Sequence, residues 1–388
     1  MATVGVVVAR SGRLAALGDP LAFAMSWLAP RLGGALRLVS RDSRSSAEGA
    51  RRAVRELVRD EGAVLVLTLA GTEVLPAVAD VCEESGVPCV SSAFPWQVYY
   101  YGRGAEDGTP FRWTYHFCWG LDAIAETFAD LWELAGGPGQ SVGCLWNSGP
   151  QGGWSRHRTR GFAPVAAARG HRLVDPGGYQ EPADDLSEHV KVFAAAGAEV
   201  VTSAATARDL GHFRELAAEH GHQPRLITCS RWLAYPPSVT SGGAWPAQAD
   251  VATLVYWTPE HPYRSSLDGM TAAELAEAYE RDTGRQWLQP LGPAYALFEV
   301  AAHALATAAD PRDPAAVAEA IGRARLDTIA GPLDWPAGPV PNVATVPLAG
   351  GQWQRGTRHD YELAVVSNRR VPGLRVTAEL VPPRPFPA

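Results

Sequence analysis

Val4-Gly5-Val6-Val7-Val8-Ala9-Arg10-Ser11-Gly12, running on into Leu14-Ala15-Ala16-Leu17-Gly18-Asp19, is the stretch that decides the fold. Its first half is an unbroken apolar, β-branched run, the mark of a parallel strand covered on both faces. Ser11 and Gly12 end the run, and a helical pattern then begins through Phe23, Trp27 and Leu28. A short loop at the carboxyl end of a first strand, feeding a helix, is where open α/β sheets hold small ligands.

The same alternation continues outward. Strands are expected at 36–39, 64–69 and 89–91, with helices at 45–59 and 74–84; Gly71-Thr72 open the second helix and Gly86-Val87-Pro88 turn into the third strand. A second βα series follows: helices at 121–134, 162–169, 185–196 and 209–220, strands at 141–146, 173–175, 200–203 and 225–229. The pattern then turns back through a strand at 253–256, helices at 272–281, 295–308 and 314–323, and strands at 333–335, 345–348 and 361–366. Repeated βα units imply parallel, doubly wound sheets with right-handed crossovers. A chain of 388 residues exceeds what one core fills, so two lobes are expected, with no flexible linker between them.

Composition excludes several classes. The net charge of −7 argues against a nucleic-acid partner. Lys191 is the only lysine, and arginine carries the remaining positive charge. No apolar run approaches the roughly twenty residues of a membrane span. Met1-Ala2-Thr3 leads straight into the first strand, so either a leader was removed and the protein works outside the cytoplasm, or it is cytoplasmic. Cys82, Cys89, Cys118, Cys144 and Cys229 show no metal-ligand spacing; Cys82 and Cys89 are near enough in sequence for a local bridge, but buried free thiols are the preferred reading. No Walker, GxSxG or HExxH sequence is present, Gly102-Arg103-Gly104 lacks a preceding buried strand, and the histidines scatter, so neither a cofactor nor a metal is expected. Glu181, Asp184 and Asp185 read as a solvated helix start.

The order of motifs resembles the type I periplasmic solute-binding proteins, the branched-chain amino-acid (Leu/Ile/Val) receptors of ABC importers. Its carriers are Ser11-Gly12 with Gly18-Asp19, Ala70-Gly71-Thr72, 91–96, Gly120-Leu121-Asp122, Gly331-Pro332-Leu333 and Gly350-Gly351-Gln352-Trp353. Trp113 to Leu121, Glu260-His261-Pro262-Tyr263 and Gln289-Pro290-Leu291-Gly292 look like one subgroup of these receptors. The resemblance implies a Venus flytrap: residues 1–120 plus 258–330 as lobe 1, 121–257 plus 331–388 as lobe 2, crossover strands near 118–122, 253–258 and 331–336, and a ligand cleft between them. It also implies an ABC permease and ATPase as partners.

Gly71 and Thr72 lie where amide donors at a helix N-terminus attract an anion, and in the resembled family this loop holds the ligand carboxylate. The family uses the next loop likewise, which points to Ser92 or Ala93, with Phe94 and Trp96 as an apolar wall. Leu17 and Gln151 fall where amino-acid receptors often place aromatics, and Asn147 flanks Gln151. Ala205 and Thr206 follow a strand end. Arg231 falls near the position where those receptors keep a carboxylate for the ligand ammonium, and a guanidinium there would repel one. The expected ligand is therefore a carboxylate with an aromatic or apolar body, clamped by Arg231, with Trp119, Tyr256 and Trp257 available to sandwich a ring. Two alternatives stand beside the importer receptor. One is a cytosolic sensor of the same fold. The other is a recruited enzyme, for which Ser230, Arg231, His116 and Asn147 are the side chains to suspect.

Overall fold

The computed structural model describes all residues except 33, 35, 106–110, 232–235, 237–238, 240–248 and 385–388. In chain order the first elements are β1 (Ala2–Val8), α1 (Ala15–Leu32), β2 (Leu36–Asp42), α2 (Ala47–Arg59), β3 (Ala63–Leu69), α3 (Leu75–Ser85), β4 (Cys89–Ser92), α4 (Trp96–Gly102) and β5 (Thr114–Phe117). Then come α5 (Leu121–Gly136), β6 (Ser141–Leu145), α6 (Pro150–Ser155), α7 (Ala163–Ala168), β7 (Arg172–Val174), α8 (Ser187–Ala195), β8 (Val200–Ser203), α9 (Ala207–Glu219), β9 (Leu226–Cys229) and β10 (Ala252–Val255). The return comprises α10 (Ala272–Thr283), α11 (Leu291–Thr307), α12 (Pro314–Gly322), β11 (Arg325–Thr328), β12 (Gly331–Asp334), β13 (Val343–Ala344), β14 (Ala349–Arg355) and β15 (Tyr361–Ser367).

The chain folds as two compact units: Met1–Gly120 with Trp257–Val346, and Leu121–Tyr256 with Pro347–Ala388. The chain therefore passes between units three times. Residues 331–346, expected in the second lobe, belong to the first. The segment at 331–334 is a strand, as its sequence suggests, but its partner is β11, with Thr328 facing Gly331 across a tight antiparallel hairpin. Periodicity reveals a strand and not its partner, and β11 carries too mixed a sequence to be seen. Residues 345–348 are not a strand either; β13 precedes them and β14 follows.

In the first unit the sheet order is β13-β5-β4-β3-β1-β2, all parallel. Helices α2 and α3 pack together on one face and α1 and α11 on the other, so β1 and β3 are buried almost throughout, as their β-branched runs require. Gly18 lets α1 start against β1: a Cβ there would stand 2.0 Å from the Ala9 carbonyl oxygen. Within α11, Glu299 is wholly buried. It accepts the Ser266 N–H (2.6 Å), the Ser266 hydroxyl (2.9 Å) and the Ile329 N–H (2.9 Å), and burial pushes its carboxyl up to about 7.

The second unit has the order β15-β14-β10-β9-β8-β6-β7. Strands β10, β9, β8, β6 and β7 are parallel, and β14 and β15 extend that sheet as antiparallel strands at one edge. Helices α5 and α7 lie together, as do α8 and α9. An ion network ties the returning chain to α5. Asp130, 3% exposed, accepts Arg169 Nη1 (2.8 Å), Arg369 Nη1 (2.9 Å) and Arg370 Nε (2.9 Å), with Glu126 and Glu133 completing the set. All five cysteines are buried free thiols, Cys82 and Cys89 included.

Candidate functional site

The residues expected to bind ligand fall into two groups, one in each unit, at the carboxyl ends of parallel strands. In the first unit, the loop after β1 is laced to its neighbours. Asp42 accepts the Arg10 N–H (2.9 Å) and the Ser11 hydroxyl (2.7 Å), and Gly12 adopts φ +83° with Ser45 where a Cβ would stand. Leu17 is buried in the first turn of α1.

The loop after β3 is more open. Gly71 and Thr72 are half-buried, and the Gly71 carbonyl accepts from Val74 and Leu75 to begin α3. The N-cap position is Val74, and no side chain caps the helix. The Thr72 hydroxyl is therefore not spent on capping; at the start of α3 the Val74 and Leu75 amides are taken by the Gly71 carbonyl and Pro76 has no N–H, so the donors this loop offers are those of the Gly71–Glu73 segment itself.

The loop after β4 is strained and pinned. Ala93 sits at φ +119°, a conformation that costs an L-residue on the order of 1–3 kcal/mol. Three bonds from the chain of β5 and just beyond hold it. The Ser92 hydroxyl donates to the Phe117 carbonyl (2.8 Å), His116 Nε2–H donates to the Phe94 carbonyl (2.9 Å), and the Trp96 N–H donates to the Trp119 carbonyl (3.1 Å). A carbonyl on Nε2 fixes the tautomer, so Nδ1 is the acceptor for the Ser91 hydroxyl at 2.9 Å. The imidazole is fully buried and stacks on Tyr99 at 4.2 Å, and burial pushes it down to about 3, so it is neutral at any ordinary pH. His116 is thus a brace for the Ala93–Phe94 turn, not the free base that an enzyme reading needs. Phe94, Trp96 and Trp119 lie beside this turn and are themselves largely buried.

Trp257 has a different place from the one expected. It belongs to the first unit, is fully buried, donates its indole N–H to the Ile329 carbonyl (3.1 Å) and lies flat on Gly292. It is core packing. Arg103, of the glycine-flanked triplet, is likewise structural: its guanidinium lies 3.9 Å from the Phe111 ring and bonds Asp80 and Thr114.

In the second unit, Asn147 lies two residues past β6 and is fully buried. Its Oδ1 accepts the N–H groups of Gly149 and Gly152, each at 3.0 Å, which forms the loop into α6, where Gln151 is half-buried. Its Nδ2 donates to Glu181 Oε1 at 2.7 Å. Arg231, two residues past β9, donates Nη1 to both oxygens of the same carboxylate, at 2.5 and 2.7 Å. Glu181 is therefore not a solvated patch residue. It is the counter-ion of Arg231, and Arg231 is not a bare cation.

Thr206 caps α9 by accepting the Asp209 N–H (3.1 Å), and the Ala205 N–H donates to Ser203 Oγ (3.0 Å), so the hydroxyl of Thr206 serves the helix. Two neighbours were not visible in the sequence. Asp209 is fully buried and accepts the Ala183 N–H on Oδ1 (3.0 Å), while its Oδ2 has no partner among the described residues. The Tyr179 hydroxyl also has none among them; burial, then the charges of Asp209 and Glu181, push its ionisation well up. Among the described residues no group of three His, Cys, Asp or Glu could hold a metal, and no helix is long and apolar enough to cross a membrane.

Each unit is a doubly wound α/β sheet whose expected ligand residues lie in loops at the carboxyl ends of its parallel strands. The periplasmic binding protein family matches residues 2–356, and the chain belongs to it. No curated protein is a significant match. Among solved structures, a putative branched-chain amino acid ABC transporter from Silicibacter pomeroyi is similar with a TM-score of 0.76 at 13% identity, covering 98% of this chain and 99% of that one. The leucine binding protein LivK of Thermotoga maritima is similar at 0.71 and 16% identity, covering 95% and 99%. A solute binding protein of an R. palustris ABC transporter, in complex with 4-hydroxybenzoate, is similar at 0.71 and 14% identity, covering 94% and 96%. These likenesses establish the type I periplasmic binding protein fold, and the family is one of solute-binding proteins.

Proposed function

We propose that the chain is the extracytoplasmic receptor of an ABC importer and that its solute is a monocarboxylate with an aromatic or apolar body. The observation that supports this most directly is in the first unit: the Gly71-Thr72 loop before α3, whose Thr72 hydroxyl caps no helix, one strand away from the pinned Ser92-Ala93 turn. Fixed backbone donors of this kind suit a carboxylate, because they are paid for in the fold and need no reorganisation when the ligand arrives. Phe94, Trp96 and Trp119 would supply the apolar wall. In the second unit the Glu181 carboxylate is already paired with Arg231, so it is not a free counter-charge for a ligand ammonium. The 4-hydroxybenzoate held by the similar R. palustris protein is a ligand of the expected kind.

Isothermal titration calorimetry with benzoate, 4-hydroxybenzoate, leucine and valine tests this reading. Aromatic acids should bind with micromolar or tighter affinity and the amino acids should not. Tight leucine binding with no response to either aromatic acid overturns it.

A further inference from the structure

We infer that Cys82 and Cys89 form an oxidisable dithiol, which a disulfide-class oxidant closes into a bridge between α3 and β4 inside the first unit. This goes beyond the receptor reading and does not depend on it. Cys82 lies in the last turn of α3, and Cys89 is the first residue of β4, against which that helix packs. The backbone fixes the turn between them. Gly86 caps the helix at φ +66°, and the N–H groups of Gly86 and Val87 both return to the Cys82 carbonyl, the latter at 3.1 Å. Past the turn, the Val66 N–H donates to the Pro88 carbonyl (2.9 Å) and the Cys89 N–H to the Trp113 carbonyl (2.8 Å), which seats Cys89 in the sheet.

With both backbones held, the side chains meet: the two thiols are fully buried and hydrogen-bond to each other. Sulfurs in contact reach the ~2.05 Å of a bond mainly by turning about Cα–Cβ, so neither element has to move far. The other three cysteines keep different company among the described residues. Cys118 lies against the Ala93 and Trp119 amides and the Ser92 hydroxyl. Cys144 donates to the Val142 carbonyl (3.7 Å), and Cys229 to the Ala205 (3.8 Å) and Arg231 (3.6 Å) carbonyls. Burial, then the neighbouring Cys89 sulfur, push the Cys82 thiol well up, so in the folded chain it is protonated and slow to react. The bridge therefore closes while the chain folds, when both sulfurs meet solvent and the short turn keeps them near each other. One cysteine thiolate attacks a sulfur of oxidised glutathione, releasing one glutathione thiolate and leaving a mixed disulfide. The second cysteine thiolate attacks the protein-side sulfur, expels the other glutathione thiolate and forms the Cys82–Cys89 bond. The two thiol protons go to solvent, and the two electrons end on the glutathione sulfurs.

The test refolds the full chain from denaturant in oxidised or in reduced glutathione and then alkylates the remaining thiols under denaturing conditions. Oxidised glutathione should leave three of the five cysteines alkylated, and reduced glutathione all five. Neither lysine nor arginine occurs between Arg59 and Arg103, so trypsin leaves Cys82 and Cys89 on one peptide. Further cleavage at Glu83 or Glu84 by a glutamate-specific protease should give two pieces that stay joined until a reductant is added. The oxidised chain should melt about 5–10 °C above the reduced one, a shift that Cys82→Ser and Cys89→Ser each abolish. If those variants do not fold, the alkylation count and the joined peptides of the wild type decide alone. Five alkylated cysteines after oxidative refolding overturn the inference, as does a glutathione adduct in place of the bridge or a link to any other cysteine. So does a bridged chain that melts no higher than the reduced one, because the bond would then not belong to this fold.

Discussion

Substituting His116 by glutamine should flatten the acid side of the stability curve. The imidazole is held near 3 by burial, against about 6.5 in an unfolded chain. Between those values the unfolded chain binds a proton that the folded chain refuses, so stability rises with pH across this window and is lost as pH falls through it. Integrated from pH 7 down to pH 5, one such group costs about 2 kcal/mol, or about 4–8 °C in melting temperature for a unit of this size. Glutamine offers a donor for the Phe94 carbonyl and an acceptor for the Ser91 hydroxyl but does not titrate, so it should keep most of the neutral-pH stability. His261, also buried and pushed down to about 4, adds a slope of the same sign and remains in both proteins. The quantity to read is therefore the difference between wild type and H116Q, by thermal unfolding followed by circular dichroism at several pH values. Parallel curves from pH 7 to pH 5 would show that His116 is not a buried neutral imidazole and would remove its role as the brace of the Ala93 turn.

Asp130→Asn should destabilise the second unit by about 2–3 kcal/mol, because three guanidinium groups lose the most buried of their acceptors; the discount from a fully buried pair reflects the exposure of Arg369 and Arg370. Thermal unfolding at low and high salt reads this, and an unchanged melting temperature would refute it. Gly292→Ala would bring a Cβ to 2.1 Å from Cδ1 of Trp257, so a loss of about 3 kcal/mol and a red-shifted tryptophan emission are expected; a variant with the wild-type spectrum and midpoint would refute the packing assigned to Trp257.

The fold was readable where physical signals are local. The β-branched runs of β1 and β3 and the glycine punctuation after each strand announce a parallel sheet without help from distant residues. Elements lacking such a signal were missed. β5, reading Thr-Tyr-His-Phe, lies in an aromatic stretch with no alternation, and α4, Trp-Gln-Val-Tyr-Tyr-Tyr-Gly, shows no helical period. The candidate site divides in the same way. The loops carrying Gly71, Thr72, Ser92, Ala93 and Asn147 are legible as strand-end loops because position in a βα unit predicts them, while their role toward a ligand comes from the family resemblance. The pairing of Glu181 with Arg231, fifty residues apart, was not, because linear spacing says nothing about which charge meets which across a sheet edge. Glu181 looked like a solvated acid for that reason, and Arg231 like a free clamp.

Neither unit is contiguous in the chain, and that bears on how the protein is made. The core of the first unit is completed by α11 packing on β3 and β4, and its sheet edge by β13. At about 5–20 residues per second, the chain from Leu121 to Thr307 takes about 10–40 s to emerge, and until then one face of β3 and β4 is uncovered. The second unit waits longer, since β14 and β15 come last. A nascent chain stopped at Tyr256 therefore contains no finished unit, and no single cut of the chain separates one unit from the other.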